Sequence, residues 1–189
     1  ESYFRDVLQM DDADASPGPS GGSIGRIMGG GGNPEVNPVD FLERTSLDAQ
    51  LSSDRILAIT KKVKAPAGYP ASALANELRL VSTLIQGGLG SRIYYVSQGG
   101  FDTHTNQVPS QQRLLRDFGE ALRAFMTDMK RQGVMDRVTV LVFSEFGRRV
   151  AQNASGGTDH GAAAPLFVAG GRVKGGMLGA YPSLAPKDL

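Results

Sequence analysis

The sequence contains no cysteine, and only two of its 189 residues are histidine. The lack of cysteine excludes disulfide bonds, thiolate metal sites and a cysteine nucleophile. The formal net charge is only +1, so neither a basic surface for nucleic acid nor an acidic solvating tail is indicated. No apolar run approaches the roughly 20 residues of a membrane-spanning helix. The sequence therefore predicts no nucleic-acid partner and no membrane span.

Apolar residues make up 40% of the chain and charged residues 21%, a composition typical of one packed domain. The chain begins with Glu1 and shows no signal peptide, so we expect a single partial domain of a longer protein. Residues 1–36 are predicted to be a helix end followed by a flexible Gly-, Ser- and Pro-rich loop. Residues 37–90 are predicted to be helical, and residues 91–189 to be an α/β part that carries a metal site.

Helical periodicity and end signals predict three helices in the middle of the chain. The first begins at Asn37-Pro38 and ends before Pro66, with Asn37 as N-cap. The second covers residues 72–86, with Leu74, Leu78, Val81 and Ile85 on one face. The third covers residues 110–132, with a stripe of Leu115, Phe118, Leu122, Phe125 and Met129.

Three short apolar runs predict strands at residues 92–97, 137–143 and 164–169, with a polar loop at residues 144–161. A strand, a long helix and another strand indicate a βαβ unit. The predicted fold class is therefore α/β, with a mostly parallel sheet flanked by helices. In such sheets ligands bind beyond the carboxyl ends of the strands.

Both histidines lie in glycine-containing loops beside an aspartate. Asp102 and His104 are two residues apart, so in an extended segment their side chains point the same way. Asp159 and His160 form a second pair in a loop of glycines, and Glu145 follows the predicted second strand. Imidazole and carboxylate ligands suit zinc, manganese or iron, and a larger share of oxygen favours harder ions.

Each of these side chains also has a simpler interpretation. Asp159 is either a metal ligand, a partner that orients His160, or the cap of a turn. Glu145 is either a site carboxylate or a loop residue that acts as a cap or pairs with Arg148. Arg148 either binds an anionic substrate group through its guanidinium fork or pairs with Glu145 or Asp159 and shapes the loop.

The motifs around these residues resemble a known bacterial family, domain of unknown function 1501, grouped with the alkaline-phosphatase and sulfatase superfamily. The similar segments are GGFDTHTNQ, VLVFSEFGRR and GGTDHGAAAPLFVAGG. The resemblance implies a partial alkaline-phosphatase-like domain in an exported bacterial protein, periplasmic or secreted. It also implies that Asp102, His104 and His160 hold one metal, that Glu145 occupies the place of a second-metal ligand, and that the nucleophile comes from an N-terminal part of the fold outside this chain.

The predicted function is metal-dependent hydrolysis of phosphate or sulfate esters. Zinc or manganese is the expected metal, with calcium, magnesium or iron as alternatives, and the substrate is a small-molecule or polymer ester. Metal-site residues are Asp102, His104, Asp159 and His160, and the catalytic candidates are Glu145 and Arg148. The alternative function is a non-catalytic exported binding or scaffold protein with at most a structural metal. The sequence leaves the oligomeric state open.

Overall fold

The computed structural model describes residues 37–185, so the predictions for residues 1–36 lie outside the described residues. Three helices come first in this described part of the chain: α1 at Pro38–Lys62, α2 at Ala73–Gln86 and α3 at Gln107–Arg131. A 3₁₀ turn at Met135–Arg137 follows. Four strands complete the described part: β1 at Thr139–Val142, β2 at Gly147–Gln152, β3 at Thr158–Gly161 and β4 at Phe167–Gly170.

The predicted start of α1 is confirmed, because the side-chain oxygen of Asn37 accepts a hydrogen bond from the Val39 backbone N–H at 3.0 Å. The features below all belong to the compact unit that begins at Ser46. At its C-terminal end α1 buries Ile59. No helix of the described residues is long and apolar enough to cross a membrane.

The core lies between α2 and α3. Ser72 caps α2 by accepting a hydrogen bond from the Ala75 backbone N–H at 3.2 Å. The predicted stripe on α3 is confirmed at Phe125 and Met129, which are buried, but it is wrong at Leu115, which is 52% exposed while Leu114 is buried. The buried apolar residues that form the core come from both helices: Leu74, Ala75, Leu78, Ala121, Phe125 and Met129.

The described strands form two separate antiparallel pairs. β1 pairs with β4, with Thr139 opposite Gly170 and Val142 opposite Phe167. β2 pairs with β3, so the predicted loop at residues 144–161 is wrong over this hairpin. The described chain has no strand at residues 92–97, where Ile93 is 84% exposed. The mostly parallel sheet stays a prediction.

The loop that precedes α3 is joined to the turn between β2 and β3. Thr105 forms an isolated bridge with Gly156. The backbone N–H of Asn106 donates to the Ser155 carbonyl, and that of Gln107 donates to the Gly156 carbonyl, both at 3.0 Å. These bonds bring the segment that carries Asp102 and His104 beside the hairpin that carries His160.

Candidate metal centre

Three of the predicted ligands lie close together. An oxygen of Asp102 lies 3.0 Å from Nε2 of His104 and 2.8 Å from Nε2 of His160. One donor atom from each residue lies within 4.8 Å of the other two. The imidazole rings are tilted by 35°, with their centroids 4.9 Å apart. The loop before α3 and strand β3 thus supply one cluster.

His104 lies between two carboxyl groups. Its Nε2 faces Asp102, and its Nδ1 faces an oxygen of Asp159 at 3.3 Å. Asp159 therefore contacts His104, although the sequence-based alternative placed it as a partner of its neighbour His160. A metal-bound histidine commonly donates its second ring N–H to a carboxylate, and the position of Asp159 matches this arrangement.

Asn153, in the turn between β2 and β3, holds the His104 segment in place. Its Nδ2 donates to the His104 carbonyl at 3.0 Å and to the Asp159 carboxylate at 3.3 Å. Its Oδ1 accepts from the backbone N–H groups of Ser155 and Gly157, both at 3.0 Å. A single amide side chain thus closes the turn and connects it to the cluster.

Arg148 occupies a supporting position. Its guanidinium donates to the Thr158 carbonyl and, at 2.5 Å, to the Phe101 carbonyl. It also lies over the ring of Phe146, 5.1 Å from the centroid. That ring stacks on His160 with a centroid distance of 4.1 Å. Arg148 therefore joins the two segments that carry the ligands, which agrees with the loop-shaping interpretation; its role as an anion contact stays a prediction.

Glu145 is exposed, and within residues 37–185 it is not a member of the cluster of potential ligands. Among the described residues Glu145 and Arg148 form no ion pair, and the guanidinium of Arg148 donates to backbone carbonyls. The structure thus brings together Asp102, His104, Asp159 and His160, but it does not add Glu145. A role for Glu145 in a second metal site stays a prediction.

Hydrogen bonds favour the ionised form of both aspartates. The contact with Nε2 of His160 is the largest cause that lowers the pKa of Asp102. The hydrogen bond from Asn153 is the largest cause that lowers the pKa of Asp159. Since a carboxyl group must be deprotonated to bind a cation, these contacts maintain the form that a metal needs.

The donor set fits a divalent metal. Around tetrahedral zinc, with bonds of about 2.0–2.2 Å, neighbouring ligand atoms are roughly 3.3 Å apart. The separations of 3.0 and 2.8 Å between Asp102 and the two histidine nitrogens are close to this value, and the third pair of donor atoms lies within 4.8 Å. Two imidazole nitrogens and one carboxylate oxygen suit zinc, manganese or iron better than calcium or magnesium.

The sequence-based reasoning missed Asn153 and Phe146. The segment Asn153-Ala154-Ser155-Gly156 carries an ordinary turn signal, because asparagine accepts hydrogen bonds from backbone groups that follow it. That signal predicts the turn, but it does not predict the hydrogen bonds from Nδ2 of Asn153 to His104 and Asp159. Nothing in the local sequence identifies Phe146 as the ring that stacks on His160.

Comparison with known proteins supports the resemblance to domain of unknown function 1501. The profile of a family described as protein of unknown function (DUF1501) matches residues 60–189, which includes every residue of the cluster. Searches of curated proteins and of solved structures gave no match.

Proposed function

The chain belongs to the DUF1501 family of proteins of unknown function, and for this member we propose a divalent-metal site that serves the hydrolysis of phosphate or sulfate esters. One observation carries this proposal: Asp102, His104 and His160 each offer a ligand atom, and the three atoms lie within 4.8 Å of one another. Catalytic zinc sites typically have three protein ligands and a fourth position left for water or substrate.

The surroundings of the cluster are compatible with access for a substrate. The side chains of His104 and His160 are 44% and 45% exposed. When bound, a divalent metal supplies a Lewis acid that polarises the ester oxygen and stabilises developing negative charge. Asp102 contributes the one carboxylate among the ligands, and Asp159 orients His104. Zinc or manganese is the preferred ion for this mixture of nitrogen and oxygen donors.

The remaining parts of the proposal follow from the resemblance of the three motifs to the alkaline-phosphatase and sulfatase superfamily. They are an alkaline-phosphatase-like α/β fold with a mostly parallel sheet, export to the periplasm or beyond, and a nucleophile supplied from outside residues 37–185. The substrate is then an ester of a small molecule or a polymer.

Titration of the purified, chelator-treated protein with zinc and then manganese, by calorimetry, tests the metal site. We expect one equivalent to bind the wild type and no comparable binding to His104→Ala or His160→Ala. Asp54→Asn is the control for Asp102→Asn, because it makes the same change at an exposed position of α1. This control should retain full metal binding. Unchanged metal binding by both histidine variants would overturn the proposal. Aryl phosphate and aryl sulfate esters are then assayed with the loaded protein.

One observation favours the second candidate function, an exported binding or scaffold protein with a structural metal. The donors of Arg148 are directed to the carbonyls of Phe101 and Thr158 rather than to the solvent, where they would meet an anion. Substitution with cobalt separates the two functions, since its visible spectrum reports ligand exchange. If phosphate and sulfate leave the cobalt spectrum unchanged and no ester is hydrolysed, the scaffold function is favoured.

A further inference from the structure

His104 presents a problem of proton placement. A neutral imidazole carries one N–H, and its other nitrogen is an acceptor or a metal ligand. Both nitrogens of His104 face carboxylate oxygens, Asp159 at Nδ1 and Asp102 at Nε2. The nitrogen that holds the proton decides which one is available to a metal, because metallation requires a free lone pair.

The two carboxylates are not equivalent neighbours. Asp102 also faces Nε2 of His160 at 2.8 Å, so it belongs with the converging donors. Asp159 contacts His104 but is not a member of the three-residue cluster. It is instead fixed from its other side by the Nδ2 group of Asn153 at 3.3 Å. Asp159 is therefore placed to accept the Nδ1 proton of His104.

The amide of Asn153 has a defined orientation. Its oxygen accepts two backbone N–H groups of the turn, and its nitrogen donates to the His104 carbonyl and to Asp159. A reversed amide would place oxygen against a carbonyl and a carboxylate, and nitrogen against two N–H groups. The turn thus holds the Nδ2 donor of Asn153 towards the His104 carbonyl and towards the Asp159 carboxylate beside the His104 ring.

We propose that Asp159 and Asn153 are positioning residues that keep the proton of His104 on Nδ1, so that Nε2 is the nitrogen that binds the metal. Asp159 accepts the proton's hydrogen bond, and Asn153 holds both Asp159 and the His104 backbone. The inference rests on the proposed metal site and assigns Asp159 to orientation rather than to direct ligation. Partners of this kind typically change metal affinity by about 10- to 100-fold.

Two variants test the proposal by zinc calorimetry. Asp159→Asn removes the charge at Nδ1 with little change in shape. Asn153→Asp retains an oxygen for the two backbone N–H groups but cannot donate to Asp159 or His104. Added negative charge alone would strengthen the binding of a cation. Weaker zinc binding by Asn153→Asp would therefore result from the loss of the two hydrogen bonds that the amide nitrogen donates. We expect both variants to bind zinc about 10- to 100-fold more weakly than the wild type.

Matched controls carry the same chemical changes elsewhere. Asp54→Asn alters an exposed position of α1. Asn76→Asp alters an exposed residue of α2 whose Oδ1 also accepts one hydrogen bond, from Arg79 at 3.2 Å. Both controls should bind zinc like the wild type. Urea unfolding of all four variants identifies any loss of affinity that comes from loss of the fold.

Long-range ¹H–¹⁵N correlation spectra of the histidine rings give a readout that a merely structural role would not change. In the zinc-loaded wild type, His104 should show the Nδ1–H form with zinc on Nε2. Asp159→Asn should reduce this preference, while His160 is unaffected. Zinc-loaded variants with wild-type affinity and an unchanged His104 form would overturn the inference and leave the metal site intact. If the wild type itself binds no zinc, the proposed function fails instead.

Discussion

At the scale of single residues, Gly157 lies where the hairpin turn touches the backbone of the His104 loop. A Cβ atom there would overlap the carbonyl carbon and oxygen of His104 and would lie 2.7 Å from the backbone nitrogen of Thr105. Because these neighbours are backbone atoms of a connected loop, Gly157→Ala should destabilise the protein by roughly 2–3 kcal/mol. Urea unfolding measures the loss, and zinc binding should weaken with it.

Gly119 offers the control for this substitution. It lies within α3, and a Cβ atom there would meet nothing within 4 Å. Alanine has the higher helix propensity, so Gly119→Ala should stabilise the protein by about 0.5–1 kcal/mol. Equal urea midpoints for the two alanine variants would contradict the close packing at Gly157.

The local sequence was sufficient to predict the members of the cluster, but it was not sufficient to predict the residues that support them. Asp102, His104 and His160 could be predicted because each belongs to a short motif of permissive glycines and typical ligands. The contacts of Asn153 and Arg148 could not, because they join residues far apart in the sequence: 49 positions between Asn153 and His104, and 47 between Arg148 and Phe101. Such long-range hydrogen bonds leave no periodic or compositional signal.

At the scale of elements, α2 and α3 are joined by a buried polar group as well as by apolar packing. Asp128 on α3 is 3% exposed. It accepts hydrogen bonds from Ser82 on α2 and, at 3.2 Å, from the hydroxyl of Tyr69 in the segment before α2. A buried carboxylate without such donors would be costly. These bonds therefore fix the relative position of the two helices.

This network predicts a loss of stability at alkaline pH. Burial is the main reason that the pKa of Tyr69 lies above its ordinary value, and the nearby Asp128 charge raises it further. The hydroxyl of the unfolded chain loses its proton near pH 10, while the folded form retains it, so stability falls as the pH rises above about 10. Tyr69→Phe should therefore show a smaller drop in urea midpoint between about pH 9 and about pH 11 than the wild type.

Tyr95 provides the comparison, since its side chain is 74% exposed. Tyr95→Phe should retain the full wild-type drop over the same pH interval. If Tyr69→Phe and Tyr95→Phe gave identical pH profiles, the Tyr69 hydroxyl would not be the group responsible.

The helices could be predicted closely, whereas the strand pairing could not. Periodicity and capping are local properties, so the α2 prediction of residues 72–86 differs from Ala73–Gln86 by one residue. β2 and β3 contain few apolar residues and no regular alternation (GRRVAQ and TDHG). Their pairing depends on the Asn153 turn and on close approach at Gly161, whose Cβ would lie 2.6 Å from the Arg148 carbonyl carbon.

At the scale of the whole molecule, the proposed ion would connect parts of the chain that only folding brings together. Asp102 and His160 are 58 positions apart in the sequence, and the helix α3 and three of the four strands lie wholly or partly between them. The unfolded chain does not hold these ligands in one place, so the metal binds mainly to the folded state. Binding energy is then added to the free energy of unfolding.

We therefore expect zinc to raise the thermal midpoint of the wild type. At a free zinc concentration about 100 times the dissociation constant, the gain is about 2.7 kcal/mol, or roughly 5–10 °C for a chain of this size. Differential scanning calorimetry with and without chelator measures the shift. His160→Ala should lose it, since one segment then lacks its ligand, and Asn76→Asp should keep it. A zinc-dependent shift of equal size in His160→Ala would mean that the ion stabilises the fold from another site.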